Sequence, residues 1–201
     1  MNIRERNYYH ALYELAAEIA SADSSEKILE SIVRGICETM KSKGCSILLL
    51  SSDRKSLIHS ISYGLSEAFT EAGPRSIEKS LPETVVGKGR VAFIYNLADE
   101  KDRVAYPEAA LKEGIVSILA VPVRLRDDII GQLRVYTAEP RRFSDDDIYF
   151  VQAVANLGAI ALENARLYTS CQKAYDSLSQ DFVDYRFSRV GQPLIPRLRK
   201  P

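Results

Sequence analysis

Two apolar runs separated by a short polar block stand out in the hydrophobic pattern, and they predict a β-hairpin. The first run, residues 115–123, is apolar at both parities, which is typical of a strand covered on two faces. The second run, residues 129–136, has one apolar face and one face that carries Gln132, Arg134 and Tyr136. We expect ligand contacts at this polar face.

The sequence before this hairpin predicts two helices and two further strands. Apolar residues recur at helical spacing up to about residue 20, and Asp23 or Ser24 can cap a second helix that stops near Gly44. Residues 45–50 and 57–63 form two short apolar segments around a turn, which indicates a second hairpin. One stripe of the second helix is apolar: Ile28, Leu29, Ile32, Val33 and Ile36.

Residues 65–114 are the least regular part of the chain, because glycines and prolines interrupt short apolar pieces throughout. We expect short helices near 80–86 and 106–113 and a strand at 91–95. Irregular excursions of this length inside a compact domain usually form lids or binding loops. This segment therefore is the expected cover of a ligand site.

A long helix is predicted from residue 144 to about 180, because Ser144 and three aspartates provide a cap and a favourable charge at its start. At 1.5 Å per residue it would be about 55 Å long, more than a domain of this size can cover. We expect a homodimer through the helices at 2–20 and 144–180. The predicted dimer stripe has coiled-coil spacing: Val151, Val154, Gly158, Ala161, Ala165, Tyr168 and Tyr175.

Composition narrows the function classes. The 201 residues carry 27 basic and 27 acidic side chains, so no global field favours nucleic acid. No apolar run approaches the roughly 20 residues of a membrane span, and we expect a cytoplasmic protein with no membrane insertion. Cys37, Cys45 and Cys171 lie far apart outside any Cys-x-x-Cys spacing, which disfavours disulfides and zinc and favours inert thiols.

The order of elements and several short motifs resemble the GAF domain family, over about residues 10 to 170. The motifs are Gly114-Ile115-x-Ser117-x-Leu119-x-Val121-Pro122, Ile130-Gly131-x-Leu133, Phe143-Ser144-x-Asp146-Asp147, and the run from Ala159 to Leu167. The resemblance implies an α+β, PAS-related fold with a central antiparallel sheet. N- and C-terminal helices would cover one face, and irregular loops and short helices the other.

The resemblance also implies a small-molecule pocket and dimerisation through terminal helices. On this basis we divide the chain into an N-terminal bundle helix at 1–22, a GAF domain at 23–170, a projecting helix end at 171–185 and a flexible basic tail at 186–201. Family members bind cyclic nucleotides, tetrapyrroles, haem or amino acids, or have no known ligand, so the cofactor is unknown. No cysteine lies between residues 46 and 170, which disfavours a covalent bilin there.

The residues that could act in catalysis or bind a metal or phosphate are each better explained by an ordinary structural role. His59 alternates with apolar neighbours on a strand, and a packed or surface histidine is favoured over a ligand of haem or metal. Asp127-Asp128 and Asp145-Asp146-Asp147 fit a hairpin turn and a helix start. Residues 87–89, Gly-Lys-Gly, lack the strand and helix of a phosphate loop. We therefore identify no metal site and no catalytic constellation.

Five side chains on or beside predicted strands are candidates for ligand binding. The tyrosines provide aromatic faces and hydroxyls, and Arg134 provides a forked donor for an anion. The alternative, that the tyrosines are ordinary core residues and Arg134 is solvated, stays open. The five candidates are Tyr63, Tyr95, Ser117, Arg134 and Tyr136.

Three functional hypotheses follow. The first is a sensory or regulatory domain that binds a small molecule, dimerises and signals to a separate partner protein through its long helix. The second is a ligand-free GAF-type dimerisation or interaction module whose pocket is filled by its own side chains. The third is a thiol-based GAF reductase of free methionine sulfoxide.

Overall fold

The sheet at the centre of the molecule has six antiparallel strands in the order β3-β2-β1-β6-β5-β4. A computed structural model describes residues 3–22, 24–78 and 80–190. Its strands are β1 Gly44–Leu50, β2 Ser56–Tyr63, β3 Arg75–Ser76, β4 Ala92–Ile94, β5 Ser117–Leu125 and β6 Asp128–Thr137. Its helices are α1 Ile3–Ser21, α2 Ser25–Met40, α3 Glu67–Thr70, α4 Ser80–Pro82, α5 Pro107–Lys112 and α6 Asp145–Val190, with a π-helical turn at Glu83–Gly87 and a 3-10 turn at Lys101–Arg103.

The predicted α+β architecture is confirmed. Both predicted hairpins are present: β1 pairs with β2, and β5 pairs with β6. The polar second strand of the central hairpin, β6, lies between β1 and β5, so that Arg134 is opposite Ser46 on one side and Ala120 on the other. The most polar strand of the hairpin therefore occupies the middle of the sheet.

Helices cover one face of this sheet. The predicted apolar stripe of α2 is buried, with Val33 and Ile36 fully inaccessible to solvent. Tyr8 of α1 stacks on Phe150 of α6, with ring centroids 4.6 Å apart. Ser24 caps α2 by accepting a hydrogen bond from the Lys27 amide at 3.3 Å, whereas Asp23, the other predicted cap, lies outside the described residues.

The start of α6 is held by a reciprocal cap. The Asp147 amide donates to Ser144 Oγ at 3.2 Å, and the Ser144 amide donates to Asp147 Oδ2 at 2.9 Å. Asp147 is completely buried and also accepts hydrogen bonds from the Tyr8 hydroxyl and from Arg141 Nη2, the latter at 2.9 Å. One carboxylate thus joins α1, α6 and the loop before α6.

The predicted dimer stripe on α6 divides into two parts. Val151 and Val154 are fully buried, and a Cβ at Gly158 would lie 2.2 Å from Ile32 Cδ1 of α2. These three positions make contacts within the chain, and helical periodicity alone does not distinguish an internal partner helix from an external one. Tyr168 and Tyr175 are exposed. The role of the stripe in a dimer, including that of Ala161 and Ala165, stays a prediction.

The chain divides into two units, residues 1–163 and 164–201. Helix α6 continues to Val190, ten residues beyond the predicted end near 180. The first five residues of the tail predicted from residue 186 therefore belong to this helix. The remainder of that tail, 191–201, lies outside the described residues.

The other face of the sheet carries the irregular segment and a second apolar core. The short helices expected near 80–86 and 106–113 correspond to α4 with its π-helical turn and to α5, and the strand expected at 91–95 corresponds to β4. The sequence pattern did not reveal α3, the 3-10 turn or β3, which contain only two to four residues each. The core here includes Phe69, Leu81, Val85, Ile94, Leu97, Ile118 and Tyr136.

Candidate functional site

A small cavity lies between the irregular segment and the face of the sheet opposite the helices. Strands β5 and β6 form its floor, and residues from 69 to 110 form its walls and cover. Its volume is about 10 Å³, which is close to the smallest space that holds one water molecule. Its lining residues are Phe69, Arg75, Val104, Ala105, Tyr106, Ala110, Ile118, Arg134 and Tyr136.

Arg134 brings a positive charge from the middle of the sheet to this cavity. Its side chain is only 3% exposed. When the Gln132 side-chain amide is oriented with its oxygen towards Arg134, this oxygen accepts from Arg134 Nη2 at 2.5 Å and from Nε at 2.6 Å. Burial lowers the pKa of Arg134; Tyr136 opposes this change, and the charge of Arg75 adds to it. A guanidinium remains protonated at neutral pH even so, and the buried positive charge persists.

Arg75 brings a second positive charge to the cavity, from the short edge strand β3. It is also 3% exposed, and its guanidinium lies over the rings of Phe69 and Tyr106, 5.9 and 5.6 Å from their centroids. Its Nη1 donates to the Gly73 carbonyl at a long 3.4 Å. Cation–π contacts stabilise such a charge by about 0.5–2 kcal/mol, which offsets only part of the cost of burying it.

The hydroxyls around the cavity fix its walls. Tyr136 and Ser46 share a hydrogen bond of 2.9 Å, which joins β6 to β1 across the sheet. The Tyr106 hydroxyl donates to the Pro74 carbonyl at 2.8 Å and fastens the segment before α5 to the residue preceding Arg75. Phe69 meets Tyr136 edge-on, with centroids 5.7 Å apart. The aromatic side chains therefore give the guanidinium groups of Arg75 and Arg134 a largely apolar environment.

His59 of β2 is a third polar group near this cluster. Its Nε2 is buried, and no hydrogen-bond partner for that atom occurs in the part of the chain that the structure describes. Burial lowers the pKa of His59, and the positive charge of Arg75 lowers it further. The imidazole is therefore neutral at pH 7, and one of its ring nitrogens has an unused capacity for hydrogen bonding.

A family model for the GAF domain matches residues 22–163. The chain belongs to the GAF domain family. The resemblance predicted from its short motifs is thereby confirmed.

Relatives of this GAF domain occur in phosphotransferase and sensor proteins. A phosphoenolpyruvate-dependent phosphotransferase system protein of Escherichia coli is 28% identical over 159 residues, which cover 78% of this chain and 21% of that protein. A methyl sulfide methyltransferase-associated sensor of Methanosarcina acetivorans is 23% identical over 152 residues, 74% of this chain and 15% of the sensor. The chain thus spans about a fifth or less of the length of these relatives.

Solved GAF domains share the fold. The GAF domain of an Acinetobacter phosphoenolpyruvate-protein phosphotransferase superposes with a TM-score of 0.69 at 22% identity, covering 83% of this chain and 97% of that one.

None of the described helices combines the length and apolar character that crossing a bilayer requires.

The five predicted ligand-binding residues of this GAF domain lie in three places. Arg134 and Tyr136 line the cavity. Ser117 is buried elsewhere; its Oγ lies 2.5 Å from the Tyr95 carbonyl and accepts from the Arg141 amide at 2.9 Å. Tyr63 and Tyr95 are 40% and 44% exposed and do not line the cavity, and the guanidinium of Arg142 covers the Tyr95 ring at 5.6 Å.

Sequence reasoning missed the cavity residues that come from the irregular segment. Arg75 follows Gly73-Pro74, and Tyr106 precedes Pro107, so each large side chain is adjacent to residues that fix a turn. A large side chain next to turn-forming residues was the sequence signal available for these two cavity residues. It is weak because the same pattern occurs in ordinary surface loops.

The cysteines and acidic groups of the described residues do not form a second site. Cys37 and Cys45 are buried, and burial raises the pKa of both thiols, that of Cys45 strongly. Raised pKa values disfavour the reactive thiolate. Within the described ranges, histidine, cysteine and carboxylate side chains form no cluster of three that is arranged to hold a metal ion.

Proposed function

We propose that this GAF domain is a sensory or regulatory module that binds a small molecule between β6 and the segment 65–114. The observation that carries the proposal is the pair of buried guanidinium groups, Arg75 and Arg134, that line one cavity. Ionised groups are rarely buried without a partner, because removing each from water costs several kcal/mol. A cavity that keeps two such charges is better suited to recognition than to packing.

A ligand at the cavity would reach the helices through β6. Arg134 and Tyr136 face the cavity, while Leu133 and Val135, which alternate with them along β6, are fully buried in the opposite direction, towards the helical layer. A shift of this strand would be passed to β1, with which it pairs, and from β1 to α2, whose Ile32 lies against Gly158 of α6. A ligand with different affinities for two positions of the strand would shift the population of helix arrangements.

We further propose that the terminal helices form a homodimer and pass the signal to a separate partner protein. Exposed apolar side chains support this part of the proposal, since Leu167, Tyr168 and Tyr175 of α6 each present more than half of their surface to solvent. Sedimentation velocity is the direct measurement. A monomer at all concentrations, up to the millimolar range, would contradict the dimer without affecting ligand binding.

Native mass spectrometry of freshly purified protein tests the ligand. We expect a mass in excess of the polypeptide that disappears on denaturation and identifies the retained compound. The polypeptide mass alone, together with an unchanged melting temperature in an extract of cellular small molecules, would contradict the proposal.

The ligand-free interaction module is the second candidate, and one observation favours it. The cavity has room for about one water molecule, because Phe69, Tyr106 and Ile118 fill the space between the sheet and its cover. The buried charges favour the sensor, whereas the small volume favours the module. A ligand larger than a water molecule requires the lining of the cavity to move, so hydrogen exchange in residues 73–106 should slow when a bound ligand holds this segment in place.

The thiol reductase is a weaker alternative. Two of the three cysteines are buried with raised pKa values, and the third, Cys171, is exposed on α6. A variant in which all three are serine should leave the redox behaviour of the protein unchanged. Methionine sulfoxide reduction that depends on any one cysteine would establish the reductase instead.

A further inference from the structure

We infer that the ligand of the cavity is a small anion, with a carboxylate or phosphate group bound between Arg75 and Arg134. This inference rests on the proposed function and names the chemical class of the ligand. Both guanidinium groups are 97% buried, and both line the same space. Among the residues that the structure describes, no carboxylate lies within the 4.0 Å ion-pair distance of either group.

The charges repel each other as well as lacking a counterion. Arg75 is near enough to Arg134 for its charge to contribute to the lowered pKa of Arg134. An anion between them would offset this repulsion and supply the negative charge that neither group finds among the described residues. Guanidinium forks match the geometry of carboxylate and phosphate oxygens, often through two parallel hydrogen bonds.

The hydrogen bonds that these groups already make do not include a carboxylate. A guanidinium has five N–H donors. Arg134 interacts with the Tyr136 hydroxyl and, with the Gln132 amide oriented so that its oxygen faces Arg134, with Gln132 through Nε and Nη2. Arg75 makes one long bond of 3.4 Å to the Gly73 carbonyl. A carboxylate or phosphate in the cavity would supply the negative charge that is missing from these contacts.

Arg75 is also placed so that it can adjust to an anion. Strand β3 has two residues, which pair with β2 as Ser56 with Ser76 and Leu57 with Arg75, and the Ile77 amide that follows donates to the Lys55 carbonyl at 3.1 Å. Moving this side chain from the rings of Phe69 and Tyr106 towards an anion breaks no strong hydrogen bond. Because the present volume is about 10 Å³, the bound group must be small or must displace the Tyr106 cover.

Calorimetric titration with sodium phosphate and, separately, sodium succinate tests the inference, at constant ionic strength maintained with sodium chloride. We expect saturable binding of one of these anions by the intact chain, accompanied by a rise in melting temperature. Saturable binding of phosphate alone identifies a phosphate group in the ligand, and saturable binding of succinate alone identifies a carboxylate.

Three variants locate the binding. Arg75→Met keeps the length of the side chain without its charge, and Arg134→Lys keeps a charge without the fork, so each should weaken binding by about tenfold or more. Arg103→Met is the matched control, because Arg103 lies on the same irregular segment but pairs with Glu100. Its affinity should equal that of the parent. Circular dichroism verifies that each variant is folded.

The results that overturn the inference differ from those that overturn the proposed function. Failure of both anions to bind, or equal binding by the parent and by Arg75→Met and Arg134→Lys, overturns the anion site. If a neutral compound is retained in native mass spectra, the sensor stands and the anion inference falls. If no compound of any charge binds, both fall.

Discussion

Buried charged side chains lie on both faces of the sheet, but their surroundings differ. On the helical face, Asp147 is fully buried but receives hydrogen bonds from Tyr8, Arg141 and the Ser144 amide. On the covered face, Arg75 and Arg134 are nearly as inaccessible and line one cavity, but no described carboxylate lies within ion-pair distance of either. The first charge has a counterion within the chain, whereas the two arginines have none among the described residues.

This difference separates a structural role from a binding role. Removing one member of a satisfied buried ion pair is strongly destabilising, because the other member is left unpaired. A buried charge without a partner contributes little to stability and is better explained by an interaction that occurs only part of the time. The helical face should therefore be sensitive to mutation, whereas charge removal at the cavity should be tolerated.

The largest effect should come from Asp147→Asn. The amide keeps the shape of the side chain but leaves Arg141 without its counterion, and we expect a loss of roughly 3 kcal/mol in the free energy of unfolding. Urea denaturation measures this loss. Glu108→Gln is the control, because it removes the exposed ion pair with Lys101 and should cost less than about 1 kcal/mol. Equal losses in the two variants would mean that the Asp147 network has no special structural role.

The second effect concerns the contact between α2 and α6. In Gly158→Ala the new Cβ would lie 2.2 Å from Ile32 Cδ1, and we expect a loss of about 1–2 kcal/mol because the Ile32 side chain must move. Ile32→Val removes that methyl group. The double variant should be less destabilised than the sum of the two single variants, which urea denaturation of all three measures. Simple additivity would show that these residues are not in contact.

On the covered face, Arg75→Met should change the free energy of unfolding by less than about 1 kcal/mol. A small increase in that free energy and no change both agree with this expectation. The variant loses one long hydrogen bond and two cation–π contacts, but it also removes a buried charge and its repulsion of Arg134. The same urea measurement applies. A loss as large as that of Asp147→Asn would show that Arg75 is a structural residue and would abolish the contrast between the faces.

The sequence predicted the regular parts of this fold well and the cavity only in part. Periodicity identified the hairpins and helices because their apolar faces repeat over many residues, as in β5, β6 and α2. It could not identify β3 or α3, because two to four residues contain no period. Arg134 and Tyr136 were found because they alternate on a long strand. Arg75, Phe69 and Tyr106 were missed because loop geometry, rather than local pattern, brings them to the cavity.

The same limit explains the division of the α6 stripe. An apolar seam with coiled-coil spacing predicts that some helix packs there, and Gly158 meets Ile32 of the same chain. Sequence spacing carries no information about which chain supplies the partner helix. Burial in the folded domain shows that Val151, Val154 and Gly158 have their packing partners within the chain. Tyr168 and Tyr175 are exposed and available for the proposed dimer.

The smallest predicted effect is a change in the titration of His59. Burial lowers its pKa first and the charge of Arg75 second, so Arg75→Met should raise the pKa part of the way towards the ordinary value of about 6.5. Because the folded-state pKa is the lower one, neutral His59 stabilises the fold above pH 6.5, and this contribution is lost as the pH falls through the folded-state pKa. That loss should be smaller in Arg75→Met.

Proton NMR titration, with the His59 resonance assigned by its absence in His59→Gln, measures this pKa in the parent and in Arg75→Met. Arg103→Met removes a positive charge elsewhere on the irregular segment and should leave the His59 titration unchanged. An anion between Arg75 and Arg134 should also raise the pKa of His59, because it offsets the charge of Arg75. If phosphate or succinate binds but the titration does not move, the anion lies away from Arg75, and the unpaired charges of the covered face require another explanation.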